Sequence, residues 1–318
     1  MLISRVIAGC VCAGVMVSGA GVTSGQDFPS KPIRILASAG GGPDFAGRLI
    51  AQGISGALGQ QVIVDNRPVT VTIEFVMKAP PDGYNLLIAS NPFFVTPLLL
   101  ETRYDPVNDF SPVTMLSREQ NILVVHPSLP VKSVKDIIAL AKAKPGSLNY
   151  GSGSTGSSTH FAGELFNFMA GVNIVRIPYK GGGQAVIDLV GGHVPMMFAT
   201  PASVATHIKS GRLKPLAVTG TQRSALVPDL PTVAATGLPG YELAGLDGVY
   251  VPAKTPAAII NRLNQEIVRY LRTPEAKEKF LAGGTEIATS TPEGLTAAMK
   301  GDIAKFSKLI KSVGIKAD

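Results

Sequence analysis

The segment at residues 150–166, YGSGSTGSSTHFAGELF, has residue types and a spacing that could bind an anionic group. Gly151, Gly153 and Gly156 spell G-x-G-x-x-G between a strand-like LNY and a helix-like HFAGELFNFM. Glycines let a ligand approach the backbone closely, and the N-terminus of a following helix attracts negative charge. Serine and threonine side chains at positions 154, 155 and 157–159 add neutral hydrogen-bond donors. We therefore expect this loop to bind an anion.

The same glycine spacing occurs in other kinds of site, and the neighbouring residues disfavour most of them. A P-loop needs lysine after the last glycine, where this chain has Ser157. A nucleophile elbow needs G-x-S-x-G, and no serine here lies in that frame. A dinucleotide site needs an acid about twenty residues on, where the chain offers Arg176. A dinucleotide site and a tight turn that binds nothing are kept as alternatives to anion binding.

Two further glycine-rich segments follow strand-like runs, SAGGGPDFAGR at residues 38–48 and YKGGGQAVIDLVGG at residues 179–192. In open α/β sheets such loops lie at the carboxyl ends of strands, where ligands bind. Two facing domains that each supply one loop would hold a dianion between two helix N-termini. Asp44, in the first of these segments, is expected to cap a helix that starts near Phe45.

The sequence contains no residue set that would carry out catalysis. Its four histidines, His126, His160, His193 and His207, are dispersed, without an H-E-x-x-H motif or an acid at metal-ligand spacing. His160 follows the glycine-rich loop by one turn and is expected to orient that loop. We predict no catalytic residue, no metal site and no cofactor.

The first 26 residues are predicted to form a secretory signal peptide. They contain Arg5, an apolar run from Val6 to Val17 and then small residues. Both cysteines of the chain, Cys10 and Cys12, lie in this segment, so the mature protein is expected to have no disulfide. An exported, soluble protein is the expectation.

Composition and patterning describe a two-domain α/β protein. The 318-residue chain has a formal net charge of +7, scattered basic residues and no tryptophan. This composition favours anionic ligands and argues against nucleic-acid binding. Apolar strand candidates alternate with amphipathic helix candidates, which predicts mainly parallel sheets flanked by helices.

These features resemble a known family, the extracytoplasmic receptors of tripartite tricarboxylate transporters, also called the Bug or TctC-like family. The resemblance covers essentially the whole mature chain. It is carried by FPSKPIRI (28–35), GGGPDFAGRLIAQ (40–52), LGQQVIVDNRP (58–68), KAPPDGYNLLIAS (78–90), YGSGSTGSSTHFAGEL (150–165), VRIPYKGGGQAVIDLVGG (175–192), HIKSGRLKPLAVTG (207–220), PDLPTVAATGLPGYE (228–242) and PAKTPAAIINRLNQEI (252–267).

The resemblance implies a type II periplasmic-binding-protein fold that closes like a flytrap. It implies a discontinuous domain 1 at residues 27–124 and 246–318, and a domain 2 at residues 125–245. The ligand-binding positions it implies are Ser38, Gly40, Gly41, Gly42, Asp44, Ser90, Asn91, Gly153, Ser154, Thr155, Ser157, Ser158, Thr159, Ala199 and Thr200.

The implied function is a monomeric periplasmic receptor for a small organic anion. The anion would be a dicarboxylate, a tricarboxylate or an aromatic carboxylate, delivered to the membrane subunits of a tripartite transporter. A receptor that presents its ligand to a sensor kinase is the alternative function, and an exported dinucleotide-binding enzyme is a remote one.

Three positions depart from the family pattern and bear on the ligand. VTVTIEF at residues 69–75 replaces a glycine-rich run. Ala199 replaces an acidic residue of members that take amino acids, which argues against a ligand with an ammonium group. Leu246-Asp247 stands where an aromatic pair is common.

Overall fold

Ten strands form two five-stranded sheets in the computed structural model, which describes residues 28–38 and 42–315. The predicted signal peptide at residues 1–26, like Gly40 and Gly41, lies outside the described residues. Each sheet is flanked by helices. The expected fold class, two α/β halves of the type II periplasmic-binding-protein kind, is confirmed.

The first sheet has the strand order β2-β1-β3-β10-β4. Its strands are β1 (Ile33–Ala37), β2 (Val62–Asn66), β3 (Asn85–Ala89), β4 (Phe110–Gln120) and β10 (Ala244–Pro252). β1 is parallel to β2 and β3, whereas β10 is antiparallel to β3 and β4.

The second sheet has the order β7-β6-β8-β5-β9. Its strands are β5 (Ile122–Val125), β6 (Asn149–Ser152), β7 (Val175–Pro178), β8 (Met196–Ala199) and β9 (Lys214–Val218). β6 is parallel to β7 and β8, whereas β5 is antiparallel to β8 and β9. In each sheet four strands therefore run in one direction and one strand, β10 or β5, runs antiparallel to them, as expected for mainly parallel sheets.

Helices follow the strands nearly throughout. They are α1 (Gly42–Leu58), α2 (Val69–Lys78), α3 (Pro92–Leu99), α4 (Val134–Ala143), α5 (Ser158–Ala170), α6 (Gly182–Val190), α7 (Pro201–Lys209), α8 (Val233–Thr236), α9 (Ala257–Leu271), α10 (Pro274–Ala282) and α11 (Pro292–Val313). Within residues 28–38 and 42–315, none of these helices combines the length and apolar character needed to cross a bilayer.

The two longest strands, β4 and β10, are absent from the strand candidates read from the sequence. The other eight were predicted because each is a short apolar run between turn residues. β4 instead mixes apolar and polar residues and contains Pro112, and β10 contains Gly245 and Gly248. Glycine, proline and polar residues weaken a strand pattern, so long-range pairing rather than local preference determines these two strands.

The chain passes between the sheets at two adjacent points. β4 ends at Gln120 and β5 begins at Ile122, while β10 begins directly after Leu243. Thr219, which follows β9, joins the two crossings: its hydroxyl accepts a hydrogen bond from the Asn121 N–H (2.8 Å) and donates to the Leu243 carbonyl (2.7 Å). The proposed domain limits at 124/125 and 245/246 fall within β5 and β10, close to these crossings.

Buried aromatic side chains connect the two halves away from the crossings. Phe306 of α11 has its ring centroid 4.6 Å from that of Phe161 on α5 and 6.4 Å from that of Phe94 on α3. α3 follows a strand of the first sheet and α5 follows a strand of the second. The C-terminal helix therefore packs against both halves through apolar contacts.

Glycine substitutions in α1 test a different contact, the packing of α1 against α9. A Cβ at Gly53 would lie 2.2 Å from the Tyr270 ring of α9, so Gly53→Ala should lower the free energy of unfolding by roughly 1–3 kcal/mol. Gly56→Ala is the matched control, because a Cβ there meets nothing within 4 Å. It should raise stability by roughly 0.5–1 kcal/mol. Urea denaturation measures both; a neutral Gly53→Ala would contradict the packing.

Candidate functional site

The predicted site residues of the first half lie at the carboxyl ends of two adjacent strands. Ser38 follows β1, and Gly42 is the first residue of α1. Ser90 and Asn91 connect β3 to α3. Because β1 and β3 are parallel neighbours, these residues meet at one edge of the sheet.

The corresponding edge of the second half carries the other predicted residues. Gly153, Ser154 and Thr155 lie between β6 and α5; Ser157 caps α5, and Ser158 and Thr159 begin it. Ala199 ends β8 and Thr200 precedes α7. Ala199 is fully buried in an apolar cluster, so its side chain is part of the core.

The glycine-rich loop is held by hydrogen bonds of its own. The Gly153 N–H donates to the Thr159 hydroxyl (2.9 Å), and the Gly156 N–H donates to Nδ1 of His160 (3.2 Å). Gly156 has φ +86°, in the left-handed region that favours glycine. His160, buried at 2% exposure, thus orients the loop. Two of the N–H groups expected to face a ligand are therefore used inside the loop.

The N-terminus of α5 provides the donors that remain for a ligand. The Ser157 hydroxyl accepts from the His160 N–H, which caps the helix. Ser158 and Thr159 occupy the first turn, where the backbone N–H groups have no acceptor inside the helix. A negatively charged group is stabilised at such a position.

Asp44 lies inside the first turn of α1 instead of preceding the helix. α1 begins at Gly42, so the expectation that Asp44 caps a helix starting near Phe45 is wrong. Its carboxylate contacts Nε of Arg48 (2.9 Å) and accepts from the Asn66 amide (3.1 Å) at the end of β2. An acid in the first turn still stabilises the helix through its dipole.

A small apolar pocket opens beside the first-half residues. Its volume is about 120 Å³, and Ser38 and Ser90 lie at its wall. The segment at residues 69–75, where the chain departs from the family pattern, forms the start of α2 and contributes Val69, Thr72 and Ile73 to this pocket.

Ser117 and Glu119, which the sequence analysis did not select, also belong to this region. They pair across β4 and β10 with Asp247 and Gly245 respectively, so all four residues share one face of the sheet. The Ser117 hydroxyl donates to Oδ2 of Asp247 (2.8 Å). The run of five consecutive polar residues in SREQN, residues 117–121, is the sequence signal for this region.

This face of the sheet is adjacent to the N-terminal ends of α1 and α5. A Cβ placed on Gly42 would lie 3.4 Å from Oδ2 of Asp247, and one placed on Gly245 would lie 3.9 Å from Cβ of Ser158. The carboxyls of Glu119 and Asp247 therefore lie in the region between the two glycine-rich loops. We call these two residues the acidic pair.

Burial makes both carboxyls of the acidic pair weaker acids. Loss of hydration raises the pKa of Asp247, while the hydroxyls of Ser90 and Ser117 oppose that rise. Loss of hydration, with the nearby Asp247 carboxylate, raises the pKa of Glu119 to about 8. Glu119 therefore holds a proton at neutral pH.

The side-chain amides of Asn91 and Asn121 are buried beside the acidic pair. Among the described residues, neither amide nitrogen has a hydrogen-bond partner. Oδ1 of Asn91 accepts from the Leu246 N–H (2.6 Å), and Oδ1 of Asn121 accepts from the Ser158 hydroxyl (3.4 Å). The side chains are 2% and 1% exposed. A buried unpaired donor costs about 1–3 kcal/mol, so these nitrogens are positions where a buried water or a ligand can supply an acceptor.

Two helix-flanked mixed sheets with glycine-rich loops at their facing edges define the periplasmic-binding-protein class. A family model described as "Tripartite tricarboxylate transporter family receptor" matches residues 46–315. The chain belongs to this family, TctC, whose members are solute-binding receptors.

Relatives and solved structures agree with this assignment. The chain is 32% identical over 314 residues to Protein BugT of Bordetella pertussis, covering 95% of this chain and 96% of that protein. It is similar to R. palustris Rpa4515, solved with adipate (TM-score 0.82, 34% identity, 92% of this chain and 100% of that one). It is also similar to MatC of Rhodopseudomonas palustris, solved with bound malate (TM-score 0.75, 25% identity, 89% and 100%).

The raised pKa of Glu119 predicts how stability depends on pH. The native state keeps the Glu119 proton up to about pH 8, whereas the unfolded state loses it near its ordinary value, so stability falls as pH rises between the two. Glu119→Gln removes this loss. As pH rises from about 5 to about 8.5, the melting temperature of wild type should fall relative to that of the variant. Each kcal/mol of stability that wild type loses corresponds to a difference of about 2–4 °C.

The matched control is Glu278→Gln, at an exposed glutamate of α10. Its melting temperature should follow wild type across the range. Parallel pH profiles for Glu119→Gln and wild type would contradict a buried, protonated Glu119.

Proposed function

We propose that this protein is a periplasmic receptor that captures a small organic carboxylate between its two halves and delivers it to a tripartite transporter. The observation that carries the proposal is the N-terminus of α5, which adjoins Asn121: the Ser158 hydroxyl donates to Oδ1 of Asn121 (3.4 Å), whose amide nitrogen has no partner among the described residues. Amide nitrogens and helix N-termini are the neutral donors that hold a carboxylate without a charged side chain.

The other proposed ligand contacts come from both edges of the cleft. In the first half they are Ser38, Gly40, Gly41, Gly42, Asp44 and Ser90. In the second half they are the loop residues 153–159 and Thr200. Hydroxyls and backbone groups dominate this set, as suits a ligand that is recognised by hydrogen bonds.

Family membership supports delivery to a membrane partner. The description of the matching family names a tripartite transporter, and the members of this family are receptors rather than enzymes. The predicted signal peptide supports export to the periplasm, where such a receptor meets its ligand.

The ligand fits the class bound by two solved relatives. One is described with adipate and the other with malate, both dicarboxylates. The pocket beside Ser38 and Ser90, about 120 Å³ in volume, would take an apolar part of such a ligand. A cavity of roughly 150 Å³ lined by apolar side chains can hold a benzene ring, so several carbon atoms fit.

Isothermal titration calorimetry of the mature protein tests ligand capture. We expect saturable one-to-one binding of at least one member of a panel of dicarboxylates, tricarboxylates and aromatic acids. NAD and NADP, included in the same panel, should give no heat. Binding of a dinucleotide with no response to any carboxylate would overturn the proposal.

Substitutions at Gly153 test the role of the loop. A Cβ there would lie 3.4 Å from the Gly182 nitrogen and from the Ser157 and Thr159 hydroxyls, an ordinary contact. Gly153→Ala should therefore keep binding, whereas Gly153→Val overpacks the loop and should abolish it. Ser157→Ala loses one hydroxyl and should weaken binding by about 1–2 kcal/mol. Equal affinities for Gly153→Val and wild type would contradict this role.

Delivery is tested by uptake. Cells that carry the two membrane subunits should accumulate a radiolabelled carboxylate from the binding panel only when this receptor is present. The Gly153→Val variant is the control, since it should be exported but should not support uptake. Unchanged uptake in cells without the receptor would exclude the delivery role.

A further inference from the structure

The glycine-rich loop before α5 depends on the position of one proton on an imidazole ring. The Gly156 N–H donates to Nδ1 of His160 (3.2 Å), and a backbone N–H can only donate. Nδ1 must therefore be the unprotonated nitrogen, and the neutral ring carries its proton on Nε2. With the proton on Nδ1, two N–H groups would face each other and the buried Gly156 N–H would lose its acceptor.

This hydrogen bond matters because the loop and the start of α5 are built around it. Gly156 is the residue with φ +86°, and the Ser157 N–H closes the turn by donating to the Ser154 carbonyl (3.1 Å). Ser157 then caps α5 by accepting from the His160 N–H. His160 is thus bonded to the loop through both its ring and its backbone, and its ring determines how the loop meets the helix.

Glu164 provides a reason for the proton to stay on Nε2. It lies four residues after His160 on α5, so the two side chains are neighbours on one face of the helix. Its Oε1 is 4.0 Å from Nε2 of His160, and the two side chains are only 15% and 3% exposed. A negative charge beside Nε2 favours a proton on that nitrogen, and little water is present to screen it.

Tyr150, at the end of β6 that leads into the loop, holds the Glu164 carboxylate in place. Its phenol donates to Oε1 of Glu164 (2.7 Å) and lies 3.4 Å from the His160 carbonyl. Burial raises the pKa of Tyr150 and the negative charge of Glu164 raises it further, so the phenol keeps its proton and acts as a donor. Gly163 makes room for this contact, because a Cβ there would lie 2.2 Å from the Tyr150 ring.

Two other ionisable side chains come near Tyr150 and have hydrogen bonds of their own. Arg176 of β7 donates to the Gly153 carbonyl (3.2 Å), and Tyr241 donates to a carbonyl of α5 (2.8 Å). Within residues 28–38 and 42–315, Glu164 is the carboxylate that lies within 4.0 Å of the imidazole. The charge of Glu164 is therefore well placed to decide between the two neutral forms of the ring.

We propose that Glu164 is a positioning residue for ligand binding: it fixes the tautomer of His160, which holds Gly156 and so keeps the N-terminus of α5 aimed at the ligand. This inference rests on the proposed function, because it assumes that the loop receives a carboxylate. Glu164 acts through His160 and does not need to touch the ligand.

The positioning role and the charge of Glu164 predict opposite effects on affinity. Glu164→Gln keeps the size of the side chain and an oxygen for Tyr150, but it removes the negative charge. Removal of a nearby negative charge would by itself strengthen the binding of an anion. Loss of the tautomer preference should weaken it, because Gly156 loses its acceptor in part of the molecules. We expect binding weaker by about fivefold to tenfold, the effect of losing one internal hydrogen bond.

NMR spectroscopy of the protein with 15N-labelled histidine measures the tautomer directly. At about pH 7.5, above the ordinary pKa of histidine, Nδ1 of His160 should have the shift of an unprotonated nitrogen and Nε2 that of a protonated one. The spectrum of His160→Asn identifies the signals. In Glu164→Gln the two shifts should move toward each other. A wild-type ring protonated on Nδ1, or a spectrum unchanged in Glu164→Gln, would overturn the proposal.

Calorimetry with a carboxylate from the binding panel tests whether Glu164 acts through His160. Glu164→Gln is measured in the wild-type and in the His160→Asn background. Asparagine offers a carbonyl oxygen to the Gly156 N–H and has no tautomers, so the loss of affinity should vanish in that background. An equal loss in both backgrounds would overturn the proposal. Glu278→Gln, at an exposed glutamate of α10, is the charge control and should bind as wild type does.

The outcomes separate this inference from the function on which it rests. If wild type and Glu164→Gln bind a carboxylate equally tightly, the positioning role is wrong and the receptor function stands. If no carboxylate binds to wild type, the receptor function fails, while the NMR spectra still decide whether Glu164 sets the tautomer. Thermal melting checks that each variant folds, and the wild-type spectrum alone can contradict the proposal if Glu164→Gln does not.

Discussion

The pairing of β4 with β10 is the constraint on which the arrangement of this molecule depends. The ladder runs from Gln120–Ala244 to Phe110–Pro252, and both crossings between the sheets lie at one end of it. Backbone hydrogen bonds between strands 124 residues or more apart in sequence thus bring the ends of the two halves together. The segments after β3, β6 and β8 owe their relative placement to this ladder, because it fixes where the second sheet begins.

The two faces of that ladder have different chemistry. One face carries Arg118 toward Asp302 of α11, a charge pair with complementary partners, alongside buried Leu246. The other face carries the acidic pair, of which Asp247 is hydrogen-bonded by the hydroxyls of Ser90 and Ser117. Burial of carboxyls without compensating charge opposes ionisation, so the two faces differ in charge state as well as in partners: an ion pair on one and weakened acids on the other.

Local patterns predicted most of the fold and the glycine-rich segments of the candidate site. The apolar run of β5 is buried on both faces and that of β1 is buried except at Arg34, and such strands are recognisable from composition alone. The glycine-rich loops were recognised for the same reason, since their chemistry is contained in a few consecutive residues.

The missed residues depend on contacts between distant parts of the chain. Glu119 becomes significant only when β10 places Asp247 beside it, and no local pattern encodes that register. The direction of β5 and β10 was missed for the same reason, because strand direction depends on where the chain crosses between sheets. Asp44 lies inside α1 and does not cap it, because α1 begins two residues earlier. A capping pattern in the sequence does not locate the start of a helix to within two residues.

The Thr219 hydroxyl has a consequence for how the two halves can move. It bonds both crossing segments at once, so these segments are tied to each other as well as to β9. The aromatic contacts of Phe306 with Phe94 and Phe161 are apolar and far less directional than a hydrogen bond. Rotation of one half against the other would therefore leave the crossings in place and change the ring contacts. In such a rotation Thr219 would lie at the hinge, and the contacts of the C-terminal helix with α3 and α5 would be the ones that change.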